Sequence, residues 1–302
     1  MADPYPLQKF DDATPEQIET ALESSEVVYF ERCPVALPTE TEREFLRNGL
    51  PQQLRLKNVS YHPESDSVPG FEAPADVTER VARILREHRS AVGKFLEAHL
   101  PNLAPDWTLG TTSFRAIEES GRGLKPRSSS EIVHIDAGAY GATNGNRILR
   151  FFVNLNPEVD RVWGTKGSFR ALFEKHAAFP EAARGKRDRI NIEKGILDHC
   201  FSGFVNGLSR VYPLAKVVDS SPYDRAMRRI HNYMKESIEF RSDEADYREI
   251  RFPPLSAWMV FTDGISHSVV SGRHALITTI LVPLENCRLP EFAPFNILAA
   301  AS

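Results

Sequence analysis

The stretch at residues 131–136 and the distant His267 constrain the fold of this chain more than any other feature. The stretch has the composition of a β-strand, in which side chains two positions apart share a face, so we expect His134 and Asp136 to lie side by side. A second histidine completes a facial triad of two imidazoles and one carboxylate, the arrangement of non-haem Fe(II) sites with open coordination positions. His267 is the best candidate, although it follows Asp136 by 131 positions.

Such a separation between metal ligands requires a fold that brings distant strands to one place. Antiparallel double-sheet jelly rolls do this, because strands far apart in sequence end at the same mouth. We therefore predict an α+β fold with a double-stranded β-helix core, of the jelly-roll or cupin-like type. The prediction adds N-terminal helices and a helical insertion between the strands that carry the metal ligands.

The chain is long enough to form one large core, and we predict a single domain over residues 1–302. Residues 1–106 are expected to form a region of helices and strands that packs on the core. The core itself is expected from residues 107–157 and 248–285, and the helical insertion from residues 158–247.

The periodicity of apolar residues places individual helices and strands. Apolar residues recur at helical spacing over residues 76–100 with charges between them, so the longest helix is expected there, covering one face of a sheet. Strands are expected at 147–156, 248–252, 257–262 and 275–282.

Composition excludes several classes of protein. The net charge of −4 is too small to indicate a nucleic-acid-binding protein. No apolar run approaches the roughly 18 residues that span a bilayer, and the N-terminus lacks the basic and apolar regions of a signal peptide. Three widely spaced cysteines favour reduced residues of a cytosolic protein over a disulfide framework.

An arginine within an apolar strand is costly to bury without a partner, but the carboxylate of a 2-oxo acid co-substrate requires such a cation beside the metal. In many iron oxygenases this arginine lies about ten residues after the second histidine, a position that Ile277 occupies here. We therefore favour Arg150, with Arg147 in reserve on the opposite face and Arg273 as a further candidate. Asn154 shares the Arg150 face and either binds the co-substrate or satisfies backbone groups at the strand end.

The segments around these residues resemble the bacterial Kdo hydroxylases, which modify 3-deoxy-D-manno-oct-2-ulosonic acid (Kdo) in lipopolysaccharide. The resemblance is strongest over His134-Ile135-Asp136-Ala137 and the Arg-Ile-Leu-Arg-Phe-Phe-Val-Asn-Leu-Asn-Pro run at 147–157. It continues through residues 161–163, through Tyr223-Asp224 with His231 and Met234-Lys235, and through 258–263 with the pairs at 266–267 and 271–272.

The resemblance implies an Fe(II)/2-oxoglutarate-dependent dioxygenase that uses O2 to hydroxylate C3 of a Kdo sugar on Kdo-lipid A, giving the 3-hydroxy sugar Ko. It implies that His134, Asp136 and His267 are the iron ligands. It also implies a cytoplasmic location, with peripheral contact at the cytoplasmic face of the inner membrane.

A basic segment is the expected site for such an anionic substrate. Residues 118–130 are rich in glycine and serine and carry Arg122, Lys125 and Arg127, so they form either a linker or a basic lid over an anionic ligand. These three residues and Tyr140, in the turn after the His-X-Asp pair, are the substrate-binding candidates.

Three alternatives remain open at this point. The same oxygenase chemistry on another substrate fits the ligand set equally well. A non-catalytic jelly-roll sugar-binding protein fits the fold, although the intact triad argues against it. A zinc hydrolase with the same ligands requires a general base near the metal-bound water, and Asp263 is the candidate for that base.

Overall fold

The computed structural model describes residues 7–11, 13–50, 58–118, 121, 123–138, 141–193 and 221–302. This part of the chain contains both helices and largely antiparallel strands, with a run of helices followed by a run of strands after residue 168, which agrees with the predicted α+β class. The predicted substrate-binding residues Arg122 and Tyr140 lie outside the described residues.

The larger sheet has seven strands, in the order β1-β2-β8-β5-β10-β4-β3. The β1–β2 pair is parallel, and the other neighbours are antiparallel. The strands are β1 (Leu7–Lys9), β2 (Val27–Phe30), β3 (Asn58–Tyr61), β4 (Thr108–Arg115), β5 (Arg147–Asn154), β8 (Ala257–Phe261) and β10 (Ala275–Val282). The N-terminal region therefore does more than pack on the sheet, since it supplies strands at both edges.

The smaller sheet has three antiparallel strands in the order β7-β6-β9, namely β6 (Arg161–Thr165), β7 (Arg248–Phe252) and β9 (Ser268–Ser271). Its central strand lies at the start of residues 158–247, the range predicted as a helical insertion, and comes before the helices of that range. Valine, tryptophan and threonine in β6 favour the extended backbone.

The two sheets pack against each other through a layer of large aromatic and aliphatic side chains. Trp258 of the larger sheet stacks on Phe252 of the smaller one, with ring centroids 3.7 Å apart. Phe152 meets Trp163 edge to face at 4.8 Å. Burial of these rings fixes the separation of the sheets, and the candidate site lies beside this layer.

Eight α-helices surround the sheets in the described part of the chain. They are α1 (Pro15–Glu23), α2 (Glu40–Glu44), α3 (Ala75–His99), α4 (Phe169–Lys175), α5 (Ala178–Arg184), α6 (Pro222–Glu236), α7 (Ile238–Ser242) and α8 (Pro294–Ala300). None of the described helices is both long and apolar enough to cross a membrane.

The helices cover the sheets on two sides. Helix α3 packs its apolar stripe against the larger sheet, mainly on β3 and β4, and its Phe95 meets Phe151 of β5 edge to face, with ring centroids 6.2 Å apart. A second cluster packs α4, α5 and α6 against Ile135, which is fully buried between the candidate ligands His134 and Asp136. This cluster positions the candidate ligands from behind.

Candidate metal centre

The two candidate histidines are adjacent through their backbones. His134 donates its amide N–H to the carbonyl of His267 (3.0 Å), and His267 donates in return to His134 (2.7 Å). The amide of Asp136 donates to the carbonyl of Thr262 (2.9 Å). The predicted regular strand at 131–136 is therefore reduced to an isolated bridge at His134, with bends at 131 and 132, because the opposing chain turns between Thr262 and His267.

The side chains of His134, Asp136 and His267 are buried and converge. Their potential ligand atoms all lie within 4.8 Å of one another. The Nδ1–H of His134 donates to the carbonyl of Ile132 (2.7 Å), and the Nδ1–H of His267 donates to the carbonyl of Ile265 (3.2 Å). These bonds fix the tautomer of each ring and leave both Nε2 atoms as donors of a lone pair to a metal.

The ionisation states of the three groups suit a divalent cation. Burial lowers the pKa of His134 well below its ordinary value and also lowers that of His267. Burial opposes ionisation of Asp136, but the Arg150 guanidinium, the two nearby imidazoles and a hydrogen bond from Thr262 together outweigh it and hold the pKa of Asp136 below its usual range. Two neutral imidazoles and one carboxylate are the forms in which these residues bind metals.

One oxygen of Asp136 also lacks a conventional partner. Its buried Oδ2 accepts no hydrogen bond from the described residues, although the Arg150 Nη2 lies 3.0 Å away as an ion-pair contact. A buried carboxylate oxygen normally requires full compensation, which a bound cation provides. The residues present therefore fit a metal ion.

The triad opens into a cavity of about 300 Å³. Five cationic residues line this cavity and a single carboxylate does so, among the described residues. The lining residues are Arg115, Arg127, Ser128, Ser130, His134, Asp136, Arg150, Phe152, Arg161, Trp163, His231, Lys235, His267, Val269 and Ile277. Such a balance of charge favours an anionic ligand.

Among the predicted co-substrate residues, Arg150 lies in this cavity. It points from β5 toward the smaller sheet, as Phe152 does two positions later. Its Nη2 lies 3.0 Å from Oδ2 of Asp136. The period of two along this strand therefore brings Arg150 to the site.

Arg147 lies elsewhere, in a buried ion pair on the opposite side of β5. Its Nε donates to Asp263 Oδ2 (2.7 Å), and its guanidinium lies 4.3 Å from the centre of the Phe261 ring. The other carboxylate oxygen of Asp263 accepts the amide N–H of Ile148 (3.0 Å). Asp263 is thus engaged in structure, and this placement removes the candidate base of a zinc hydrolase.

Asn154 and Arg273 also lie outside the cavity lining. The Asn154 amide donates to the carbonyls of Val159, Phe252 and Pro253 at 2.9–3.2 Å, so it satisfies backbone groups where β5 ends. Arg273 is exposed in the turn between β9 and β10.

The basic segment is brought to the cavity through Arg127. Its guanidinium makes a bidentate ion pair with Glu236 at the end of α6 (2.6 and 2.9 Å), and it is largely exposed where the cavity meets solvent. Lys125 is exposed and does not line the cavity.

Sequence reasoning missed four cavity residues: Arg115, Arg161, His231 and Lys235. Arg161 shares a face of β6 with Trp163. Recognition of residues 161–165 as a strand, in which alternate side chains share a face, would have placed the two together. His231 and Lys235 are four positions apart on α6, and their shared helix face was the available signal for the second pair. From sequence, His231 is interpreted as a packed or surface residue.

Comparisons with known proteins agree with this geometry. A family model described as 3-deoxy-D-manno-oct-2-ulosonic acid (Kdo) hydroxylase matches residues 7–302. No curated protein matches the chain.

Solved structures provide a second comparison. The Kdo hydroxylase KdoO, a non-heme Fe(II) alphaketoglutarate-dependent dioxygenase, is similar in its cobalt(II) complex, with a TM-score of 0.77 and 25% identity over 98% of this chain and 95% of that chain. KdoO with alphaketoglutarate and Fe(III) gives the same values. The apo form of KdoO has a TM-score of 0.76 and 26% identity, with the same coverage.

Proposed function

Because this chain belongs to the Kdo hydroxylase family, we propose that it is an Fe(II)- and 2-oxoglutarate-dependent dioxygenase that hydroxylates a Kdo sugar. The observation that carries the proposal is the convergence of two neutral imidazoles and one carboxylate at the edge of a cationic cavity. The similarity to KdoO over nearly the whole chain supports the same reaction.

His134, Asp136 and His267 would hold the iron. When bound, Fe(II) supplies the activation of O2 that couples oxidative decarboxylation of 2-oxoglutarate to hydroxylation. The carbonyls of Ile132 and Ile265 hold the two imidazoles in the required tautomer, and the aromatic layer beside them excludes water.

Arg150 is our candidate for binding a carboxylate of 2-oxoglutarate. It lies in the cavity next to Asp136, and its planar guanidinium matches a carboxylate in a bidentate geometry. Arg115 and Arg161 line the same cavity and supply further positive charge for a dianion.

For the acceptor, we propose C3 of a Kdo residue on Kdo-lipid A, with Ko as the product. The cationic lining and the basic residue Arg127 at the mouth suit an anionic, lipid-linked sugar acid. We further propose that the protein is cytoplasmic and contacts the inner membrane peripherally. Its core is proposed to be a double-stranded β-helix.

A panel of acceptors tests the finer part of this proposal. The enzyme with Fe(II), 2-oxoglutarate and air is given Kdo-lipid A, the methyl glycoside of Kdo, or lipid A without Kdo, and the products are assigned by mass spectrometry and NMR. We expect a hydroxyl group at C3 of Kdo-lipid A and no oxygen added to lipid A alone. Hydroxylation of lipid A alone, or at another Kdo carbon, contradicts it.

A further inference from the structure

The cavity has two walls of different origin. Strands of the two sheets supply Arg115, Arg150 and Arg161, which together are called the strand wall. Helix α6 supplies the other wall through His231 and Lys235, which share one helix face because they are four positions apart. The strand wall accounts for the co-substrate, whereas the proposed function leaves the helix wall without a role.

Burial orders the lining residues from the mouth to the floor. Arg127 and Ser128 line the cavity and are exposed, so the mouth lies there. Phe152 and Ile277 are buried at 3% and 4% exposure and form the apolar floor. Lys235 is 5% exposed, about as buried as the candidate ligands at 6–8%, and it lines the cavity next to Arg127 at the mouth. A substrate larger than 2-oxoglutarate, entering from solvent, therefore reaches this helix wall.

Lys235 lies close to both the mouth and the metal centre. Its Nζ donates to the carbonyl of Arg127 at 3.3 Å. It lines the same cavity as His134 and His267. An anion bound by this ammonium group would thus lie near the metal.

His231 presents a hydrogen-bond acceptor on the same wall. Its Nδ1–H donates to the carbonyl of Ile135 (2.6 Å), so the proton is on Nδ1 and the neutral ring keeps a lone pair on Nε2. The ring centre lies 5.1 Å from that of His134.

We propose that Lys235 binds the carboxylate of the acceptor Kdo and that His231 accepts a hydrogen bond from a hydroxyl group of the same sugar. In a 3-deoxy-2-ulosonic acid, one carbon separates the carboxyl carbon from the deoxy carbon at C3. A carboxylate held beside the metal centre therefore places C3 near the site of oxidation. This inference rests on the proposed function and assigns its substrate-positioning residues.

Binding measured without turnover tests the inference. The enzyme is loaded with Fe(II) and 2-oxoglutarate under anaerobic conditions and titrated by calorimetry with the methyl glycoside of Kdo or with its carboxamide. The variants are Lys235→Gln, Lys235→Arg and His231→Asn, where asparagine keeps a donor near the Nδ1 position and removes Nε2. Arg228→Gln is the matched control, because it removes an exposed positive charge about one turn before His231 on the same helix, outside the cavity lining.

We expect Lys235→Gln to weaken binding of the Kdo glycoside by about 10- to 100-fold, the range for a charge-assisted hydrogen bond, and to leave 2-oxoglutarate binding within twofold. The carboxamide should bind wild type poorly and lose nothing further in Lys235→Gln. Lys235→Arg should recover part of the affinity. His231→Asn should weaken the glycoside and the carboxamide by the same factor, and Arg228→Gln should bind as wild type does.

Two results overturn the inference while the proposed function stands. One is that replacement of the carboxylate of the Kdo glycoside by a carboxamide weakens binding by the same factor in wild type and in Lys235→Gln. The other is a loss of 2-oxoglutarate affinity in Lys235→Gln with an unchanged affinity for the Kdo glycoside. A wild-type enzyme that binds Fe(II) and 2-oxoglutarate but neither binds nor hydroxylates Kdo overturns the proposed function itself.

Discussion

His134 and His267 are 133 positions apart in the chain, yet each donates its backbone N–H to the carbonyl of the other, at 3.0 and 2.7 Å. Their ring centroids are 4.8 Å apart. The separation of the two imidazoles is therefore set by backbone pairing and does not depend on a bound metal. This preorganisation allows the ligands to be replaced without loss of the fold.

His134→Ala and His267→Ala should each abolish hydroxylation and weaken Fe(II) binding by at least about 100-fold, because each removes one of three ligands. The backbone bridge remains, so the melting temperature should change by only a few degrees. Calorimetry with Fe(II) and thermal unfolding measure the two effects. His62→Ala is the control, since His62 pairs with Glu64 outside the cavity. Wild-type iron affinity in either ligand variant contradicts the triad.

Arg150→Met should raise the KM for 2-oxoglutarate by about 10- to 100-fold, because a bidentate, charge-assisted contact is lost. Arg150→Lys should give a KM between those of wild type and Arg150→Met, because an ammonium point charge replaces the planar guanidinium. Arg273→Met is the control, because Arg273 is exposed in a turn outside the cavity. An unchanged KM in Arg150→Met, with a raised KM in Arg161→Met, would contradict the role of Arg150 and assign 2-oxoglutarate binding to Arg161 of the smaller sheet.

Asp263→Asn should lower the free energy of unfolding by about 3–5 kcal/mol, because it leaves the fully buried Arg147 without its counter-charge. Replacement of both residues, as Arg147→Met with Asp263→Leu, should cost less than the single change. Chemical denaturation measures both values. The folded fraction should keep the wild-type KM for 2-oxoglutarate, and a large rise in that KM would place Arg147 in the site.

His88→Leu should stabilise the protein and flatten its stability between pH 7 and 5. Neither ring nitrogen of the buried His88 has a hydrogen-bond partner among the described residues, and burial lowers its pKa to about 4 from an ordinary value of 6.5. Between these values the unfolded state binds more protons, so stability falls as the pH falls.

This linkage amounts to about 2 kcal/mol between pH 7 and 5 for His88 alone. Removal of an unsatisfied buried imidazole adds a gain of about 1 kcal/mol or more at pH 7. Urea unfolding of wild type and His88→Leu at both pH values measures the difference. An equal loss of stability between pH 7 and pH 5 in the two proteins would contradict this role of His88.

Much of the architecture follows from local sequence pattern. The helix expected over residues 76–100 spans Ala75–His99, and the strand expected at 147–156 spans Arg147–Asn154. The strands expected at 248–252, 257–262 and 275–282 are confirmed within one residue at each end. These elements have strong periodicity or a continuous apolar run, so their own residues determine them.

The rest depends on contacts that a local pattern does not contain. Arg161 was missed because β6 is short and is followed by helices, and its role as the centre of a sheet arises only from pairing with β7 and β9. His231 and Lys235 were missed because tertiary packing decides which face of α6 turns toward the cavity. Arg147 and Arg150 lie on opposite faces of β5. The packing on each face places Arg147 in an ion pair with Asp263 and Arg150 in the cavity.

The most direct test of the account is reconstitution of the enzyme with Fe(II), 2-oxoglutarate and Kdo-lipid A under anaerobic conditions, followed by admission of ¹⁸O₂ and mass spectrometry. We expect succinate and one labelled oxygen atom on the Kdo fragment, each dependent on both Fe(II) and 2-oxoglutarate and absent from His134→Ala. Succinate without labelled Kdo would support the oxygenase activity but contradict Kdo-lipid A as its substrate. Neither product from the iron-loaded wild-type enzyme would contradict the central claim that the triad is the iron site of a Kdo hydroxylase.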